Sequence, residues 1–305
     1  MKIVVSGSTG LIGSALTEAL NRRGGDHEVV PLVRRRVSSG EHAVAWDPEG
    51  ATIDRAGLEG ADAVIHLAGE NVFGRWSPAK KQRIYDSRVQ GTRLVSDALA
   101  GLHHRPTTLL AASAIGYYGD RGDEPVTEGS PPGEDFLAHV SREWEAATAA
   151  ATRAGIRVVN MRMGVVLTTT GGALAKMLPA FRLGLGGPIG SGNQYLSWIA
   201  LDDVINAIVH LLNDQSVVGP VNMTAPEPIT NREFAKTLGK VLGRPAVVTV
   251  PAFALRMAFG TEGAAMLLSG QRVLPARLLA AGFDFASRDV EHALRYLLAP
   301  SEGAR

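Results

Sequence analysis

The chain of 305 residues contains no cysteine. That excludes disulfides, thiolate nucleophiles and thiolate metal ligands, and it fits a reducing compartment, so a cytoplasmic location is expected. No metal site is expected either. An excess of charge of one sign is also missing: 31 basic residues face 30 acidic ones, a formal net charge of +1. No bulk field recruits nucleic acid or an anionic membrane, and neither is expected as a partner. Apolar runs of membrane-spanning length are absent, since the stretch over 250–259 is short and broken by Arg256. The first strand begins at Lys2 and leaves no room for a signal peptide. Hydrophobic residues nevertheless make up 45% of the chain and charged residues 20%, which is globular rather than disordered composition.

What is present begins at once. Residues 3–13 read Ile-Val-Val-Ser-Gly-Ser-Thr-Gly-Leu-Ile-Gly, a β-branched apolar run that breaks into a glycine turn and a helix over roughly 13–23. A buried strand feeding glycines and a helix N-terminus makes a phosphate cradle. Gly7 takes the tight turn, Gly10 lets a pyrophosphate approach the backbone, and Gly13 lets the helix pack close to the sheet. The spacing Gly-x-x-Gly-x-x-Gly is weak by itself, but its place in the first βα turn makes it a dinucleotide signal. Gly7, Ser8, Thr9, Gly10, Leu11, Ile12 and Gly13 are therefore the first candidate cofactor-binding residues.

Strands and helices alternate through the first half. Strands are predicted over Glu28–Val33, 61–68, 107–112 and 157–161, and helices over 86–100 and 136–154. Pro31 inside the second strand removes a ladder donor and predicts a bulge or an unpaired position. This alternation implies an α/β fold, a Rossmann-type doubly wound parallel sheet. After Gly164 glycine-rich loops surround one helix over 173–183. Asp202 and Asp203 open another helix, acidic where the N-terminal dipole favours it. Residues 219–224 look like a strand returning to the main sheet, and Thr230-Asn-Arg-Glu233 is a capping box. Residues 244–299 read as a small mixed α/β unit containing Val247-Val-Thr-Val250. The expected division is 1–166 with 201–224 as the dinucleotide-binding domain. Residues 167–200 and 225–305 would form a smaller, partly interleaved C-terminal domain on the substrate side.

The second strand runs into Arg34-Arg35-Arg36, about where an NAD-binding fold places the carboxylate that holds a ribose 2′-hydroxyl. Here cations stand instead. A three-residue charge run is usually a solvated loop. At this position, guanidinium groups suit a 2′-phosphate, so NADP (NADPH) is the expected cofactor, with Arg34 first, Arg35 second and Arg36 in solvent. His66-Leu67-Ala68-Gly69 ends the next strand with small residues across which a cofactor can lie. His66 reads as a packed core histidine. Asp62 either meets adenine or ends a turn.

With these pieces placed, the chain resembles the extended short-chain dehydrogenase/reductase superfamily, and within it an atypical branch of NAD-dependent epimerase/dehydratase proteins. The resemblance spans nearly the whole chain. It rests on Gly7 to Gly13, on His66-Leu-Ala-Gly-Glu-Asn71, on Ser87-Arg88 and on Ser113-Ala-Ile-Gly-Tyr-Tyr-Gly119. It continues in Trp144-Glu145, Phe181-Arg-Leu-Gly-Leu-Gly-Gly-Pro188, Gly190-Ser-Gly192, Ser197-Trp198-Ile199, Asp203 and Asn222, and in Leu267-Leu-Ser-Gly-Gln-Arg-Val-Leu-Pro275 with Gly282-Phe283 of a small appended domain. By that similarity Leu67, Ala68, Arg88 and Val166 join Gly69 in the cofactor shell, and the loop over 186–198 folds over the substrate. Tyr195 and Trp198 then either stack on the substrate or close the domain interface. Glu70, Asn71, Arg75 and Trp76 face the cleft.

The catalytic set that the resemblance implies is a serine, a tyrosine and a lysine four residues after it, whose charge lowers the tyrosine pKa. Ser113 stands where the serine belongs. Counting back from Trp144-Glu145 puts Leu137 and Ser141 at the tyrosine and lysine positions, and no lysine lies between Lys81 and Lys176. Three routes stay open: Tyr117 or Tyr118 donates the proton from the loop, Glu143 or His139 acts from the helix, or cofactor is bound without turnover. The expectation is an NADP-dependent oxidoreductase or epimerase-like enzyme acting on a small polar, sugar-like molecule, with Ser113 polarising the reacting oxygen. Its rivals are an NADP(H)-binding regulatory or redox-sensing protein and a structural partner with vestigial binding.

Overall fold

The computed structural model describes residues 1–22, 27–38 and 40–299. Period-two alternation in the first strand sets the layers. In β1 (Lys2–Ser6), Ile3 and Val5 pack with Leu16, Leu20 and Ile208 on one face, while Val4 packs with Val95 and Leu99 on the other. Helices Leu11–Arg22 and Leu201–Asn213 thus cover one side of the sheet and helix Pro78–Ala100 the other. Each fully buried aliphatic side chain contributes roughly 1.5–3 kcal/mol, so the two faces together account for most of the favourable burial.

The remaining strands of the main sheet are β2 (Glu28–Val33), β3 (Val44–Asp47), β4 (Thr52–Ile53), β5 (Ala63–His66), β6 (Thr108–Ala114), β7 (Arg157–Met163) and β8 (Gly219–Met223). Their order is β8-β7-β6-β5-β1-β2-β3-β4, parallel throughout except for β3 with β4. This is the expected Rossmann-type α/β fold. The strand order reverses between β1 and β5, which opens a crevice at their C-terminal ends. On the outer side of β8, Arg277 Nη1 donates to the carbonyl oxygens of Val218 and Pro220 (3.0 Å for the latter), and Glu128 accepts from the Asn222 N–H at 3.0 Å.

Several boundaries differ from the sequence expectation. The bulge at Pro31 is not seen: β2 pairs in unbroken register with β1, Val5 opposite Pro31. On its other side β2 meets β3 only through Leu32 and Val33, so on that edge the proline holds the unpaired position that was the other half of the expectation. The helix expected over 136–154 breaks into Phe136–Ala146 and Ala149–Arg153. Helix Pro78–Ala100 begins two turns earlier than expected, capped by Ser77, whose hydroxyl accepts from the Lys80 N–H. The first helix is Leu11–Arg22, and Arg23 lies outside the described residues, as do the last residues of the expected small domain, 300–305.

Beyond the sheet, Val165–Leu167 pairs with Trp198–Ala200, Tyr195–Leu196 with Ile229–Thr230, and Arg272–Val273 with Pro125–Val126. A second core built from Leu178, Phe181, Phe234, Leu238 and Leu294 unites helices Gly172–Arg182, Asn231–Leu242 and Val290–Leu298. The capping box of Thr230 and Glu233 forms as read from the sequence. Val247 to Val250 form no strand; Val250 makes an isolated bridge to Ile189. Asp203 does more than meet a helix dipole. It is fully buried and accepts from the N–H groups of Ala286 and Ser287 at 2.8 and 3.0 Å, tying the C-terminal segment to the main sheet's helix.

Candidate functional site

The crevice is built first by its glycines. Gly7 sits at φ +68°, in the left-handed region that favours glycine, and a Cβ on Gly13 would collide with the Gly7 carbonyl oxygen. Ser6 then ties the ends of β1 and β5 together. Its Oγ accepts from the N–H groups of Leu67 and Ala68 at 3.0 and 3.2 Å and lies 2.7 Å from His66 Nδ1. His66 is the core histidine expected: fully buried against the edge of Trp46, with burial lowering its pKa to about 4.

A cavity of about 550 Å³ opens above this turn, lined by Gly7, Ser8, Thr9, Gly10, Arg34, Arg35, Leu67, Ala68, Gly69 and Glu70. Leu11 and Ile12 do not line it. Leu11 packs toward Gly171 and Gly172, and Ile12 packs against the core. Val166 lies away from it too, on the strand paired with Trp198–Ala200, packed on the core. Both arginines are exposed, but they are not equivalent. Arg35 is engaged by Glu41, with Nη1 3.0 Å from Oε2, and this bond holds the Glu41 carboxyl down at about 2. Among the described residues Arg34 has no side-chain partner, which leaves its guanidinium for an anion. Asp62 meets no adenine: it accepts from the Lys2 N–H at 2.7 Å, at the opposite end of the strands from the crevice.

Arg88 closes the cradle from helix Pro78–Ala100. Its Nη1 donates to the Glu70 carbonyl at 2.9 Å, its guanidinium lies over Trp144, and it borders Gly69. Burial brings its pKa down to about 10, against the pull of Glu70. The Glu70 carboxylate accepts from Lys80 at 2.6 Å, so it belongs to the rim of the cradle and not to the substrate side. Glycines, an unpaired exposed guanidinium and a second cation beside the turn suit a phosphorylated dinucleotide.

At the C-terminal ends of β6 and β7 lies a buried polar chain. Ser113 Oγ donates to Glu145 Oε1 at 2.7 Å. Arg162 grips both oxygens of that carboxylate, at 2.7 and 2.8 Å, and donates from Nη1 to the Tyr118 hydroxyl at 2.9 Å. The Tyr118 hydroxyl donates in turn to Asn222 Oδ1 at 2.6 Å, and the Tyr117 ring covers the guanidinium at 3.5 Å. Burial pulls Arg162 down, but the hydrogen bonds and charge of Glu145 outweigh it and hold the guanidinium above its ordinary value. Burial also pushes the Tyr118 phenol up to about 12.

This arrangement corrects two readings. Tyr118 is fully buried with its hydroxyl committed at both ends, so it cannot reach a substrate. Trp198 is fully buried as well, its Nε1 donating to the Glu227 carbonyl, and it serves the interior rather than a ligand face. His139 and Glu143 stay outside the chain: His139 is exposed and stacked on Tyr85, and Glu143 faces Arg142. Leu137 and Ser141 back onto Gly116. Arg162 was missed by reading the sequence, and Glu145 was read only as part of a motif. A charged residue between two methionines in a strand buried on both faces demands a partner, and that was the available signal.

Two further cavities, each about 440 Å³, adjoin the turn Ile115–Tyr118 that follows Ser113. Ile115, Val165, Met266, Ser269 and Gln271 line both. Asn71 and Tyr195 line the first, and Trp76 the second; Arg75 packs beside Gly260.

Residues 3–223 match the model of the NAD dependent epimerase/dehydratase family, and residues 250–297 match a domain of unknown function (DUF1731). The chain is 43% identical over 295 residues to epimerase family protein Mb2239 of Mycobacterium bovis, covering 96% of each. It is 39% identical over 303 residues to human epimerase family protein SDR39U1, covering 98% of this chain and 100% of the relative. The crystal structure of the human protein (isoform 2) with NADPH superposes with a TM-score of 0.89 at 38% identity, over 97% of this chain and 99% of that one.

Proposed function

The chain belongs to the NAD dependent epimerase/dehydratase family, and from that premise we propose an NADP(H)-dependent oxidoreductase or epimerase-like enzyme of the extended short-chain dehydrogenase/reductase type. The observation that carries this reading is that the C-terminal edge of one sheet holds a glycine cradle at the ends of β1 and β5, a buried Ser113–Glu145–Arg162 chain at the ends of β6 and β7, and a preformed cavity beside the turn that follows Ser113. The NADPH in the human relative's structure supports the cofactor assignment. Gly7, Ser8, Thr9 and Gly10 would hold the pyrophosphate, Arg34 the 2′-phosphate, and Arg88 would add positive charge beside the turn.

When bound, the nicotinamide supplies a hydride donor or acceptor. The proton is the protein's task. With Glu145 ionised, Ser113 donates its only hydrogen to that carboxylate and meets a substrate hydroxyl as an acceptor; with Glu145 protonated, Ser113 accepts from it and donates to a substrate carbonyl oxygen. A substrate hydroxyl gives its proton to Ser113 while Ser113 passes its own to Glu145; reduction runs the same transfer backwards. Arg162 fixes the carboxylate by both oxygens, and Tyr117 braces the guanidinium plane. NADPH formation or consumption across a panel of alcohols and carbonyl compounds tests this reading. Ser113→Ala should abolish turnover and leave NADPH affinity intact; undiminished turnover refutes the route.

One observation favours a second reading. Ser113 is only 2% exposed and its hydroxyl is committed, as fits a protein that binds NADP(H) to sense or signal. That alternative expects tight NADPH binding and no turnover with any member of the panel.

A further inference from the structure

The cavity beside Ile115 that Asn71 and Tyr195 line is walled mainly by Val72, Ile115, Met177, Leu196, Phe234 and Met266. Its polar lining groups are mostly spent on the protein itself. Gln194 Nε2 donates to the carbonyls of Ile189 and Leu267, Asn231 Oδ1 accepts from the Ile189 N–H, and Asn71 Oδ1 accepts from the Phe73 N–H. Ser197 Oγ donates to the Gln271 carbonyl and accepts from the Val273 N–H. One cation lines this cavity among the described residues: Lys176, on helix Gly172–Arg182, exposed, with its ammonium 3.4 Å from the centre of the Phe73 ring and no carboxylate partner. Among the described residues no cation lines the adjoining cavity, and the Glu262 carboxylate on its wall is paired with Lys81 at 2.9 Å.

A nucleoside-diphosphate sugar brings a doubly charged pyrophosphate and a ring of hydroxyls, which need several cations and unsatisfied polar groups. This cavity offers one ammonium, the Tyr195 hydroxyl and the Gln271 amide against a mainly apolar wall. From that chemistry we infer that the substrate side takes an amphipathic molecule, an aliphatic or aromatic body carrying a single anionic group that pairs with Lys176. The apolar body fills the space between Met177 and Met266, and the cation–π contact with Phe73 holds the ammonium at the entrance. The inference rests on the reading of this cavity as the substrate site of an NADP(H)-binding protein, and it replaces a small sugar-like substrate with an apolar one.

Calorimetric titration of the NADPH-saturated protein with decanoate, decan-1-ol and UDP-glucose tests it. Decanoate should bind, Lys176→Met should weaken it about tenfold, and the same change should leave decan-1-ol unaltered. Met177→Glu should expel both. UDP-glucose should neither bind nor displace decanoate. Binding of UDP-glucose in competition with decanoate overturns the inference, as does absence of decanoate binding or an affinity indifferent to Lys176→Met. Nicotinamide fluorescence read in the same samples separates the two levels. Failure of NADPH to bind defeats the parent reading, whereas NADPH binding without decanoate binding defeats only this one.

Discussion

Arg162 holds Glu145 through two parallel hydrogen bonds, 2.7 and 2.8 Å long, with side chains only 3% and 12% exposed. The pair joins helix Phe136–Ala146, which carries Glu145, to the end of β7, which carries Arg162. The positive charge near Ser113 is thus supplied from the sheet, where the family pattern would bring a lysine from the helix, and the helix supplies a carboxylate instead.

Removing one partner should expose how much the fold depends on the other. Arg162→Met leaves a buried carboxylate uncompensated and should cost about 3–5 kcal/mol in urea unfolding. Pairing it with Glu145→Leu should recover most of that loss. A single variant as stable as the parent would mean that the ion pair is not sealed as described.

Glu145→Gln keeps the shape of the Ser113 contact but removes the proton acceptor. Turnover should fall by roughly 10²–10⁴, while NADPH affinity stays within about twofold. A merely structural role would lower stability and leave the turnover of the folded fraction unchanged.

Arg34 and Arg35 should separate on titration. Arg34→Ala should weaken NADPH by about tenfold or more and leave NADH unaffected, as the loss of one charge-assisted hydrogen bond dictates. Arg35→Ala should do less, because Glu41 already engages that guanidinium. Unchanged preference for NADPH over NADH in Arg34→Ala would refute the phosphate assignment.

His66 couples stability to pH. Burial holds it neutral in the folded state with a pKa near 4, against about 6.5 in the unfolded chain. Between these values the unfolded state binds more protons, so stability is complete above pH 6.5 and falls as pH drops toward 4, by roughly 3 kcal/mol. Unfolding measured across that window should show this slope, and His66→Asn should flatten it.

The parts of this fold that were legible in the sequence are those set by local chemistry. Gly7 and Gly13 announce the turn because a side chain at either is strained or collides, and Thr230 and Glu233 announce a helix start by satisfying each other's backbone. The break after Ala146 was hidden, since alanines favour a continuous helix and what ends it is packing: Ala151 N–H bonds to Ser96 across the interface. The bond from Arg162 to Glu145 joins two elements folded together only by the sheet, so each residue alone reads as an ordinary charge. For Trp198 the sequence left two alternatives, a ligand face or a closed interface, and a three-residue strand carries it into the interior, which rules out the first.

The outer margin of β8 is already spoken for. Pro220 has no N–H to offer, its carbonyl and that of Val218 are taken by Arg277, and the Asn222 N–H is taken by Glu128. At the far margin β4 spans two residues. A foreign strand arriving at either end would find almost no backbone to read, so a sheet of eight strands can end in solvent without inviting a ninth.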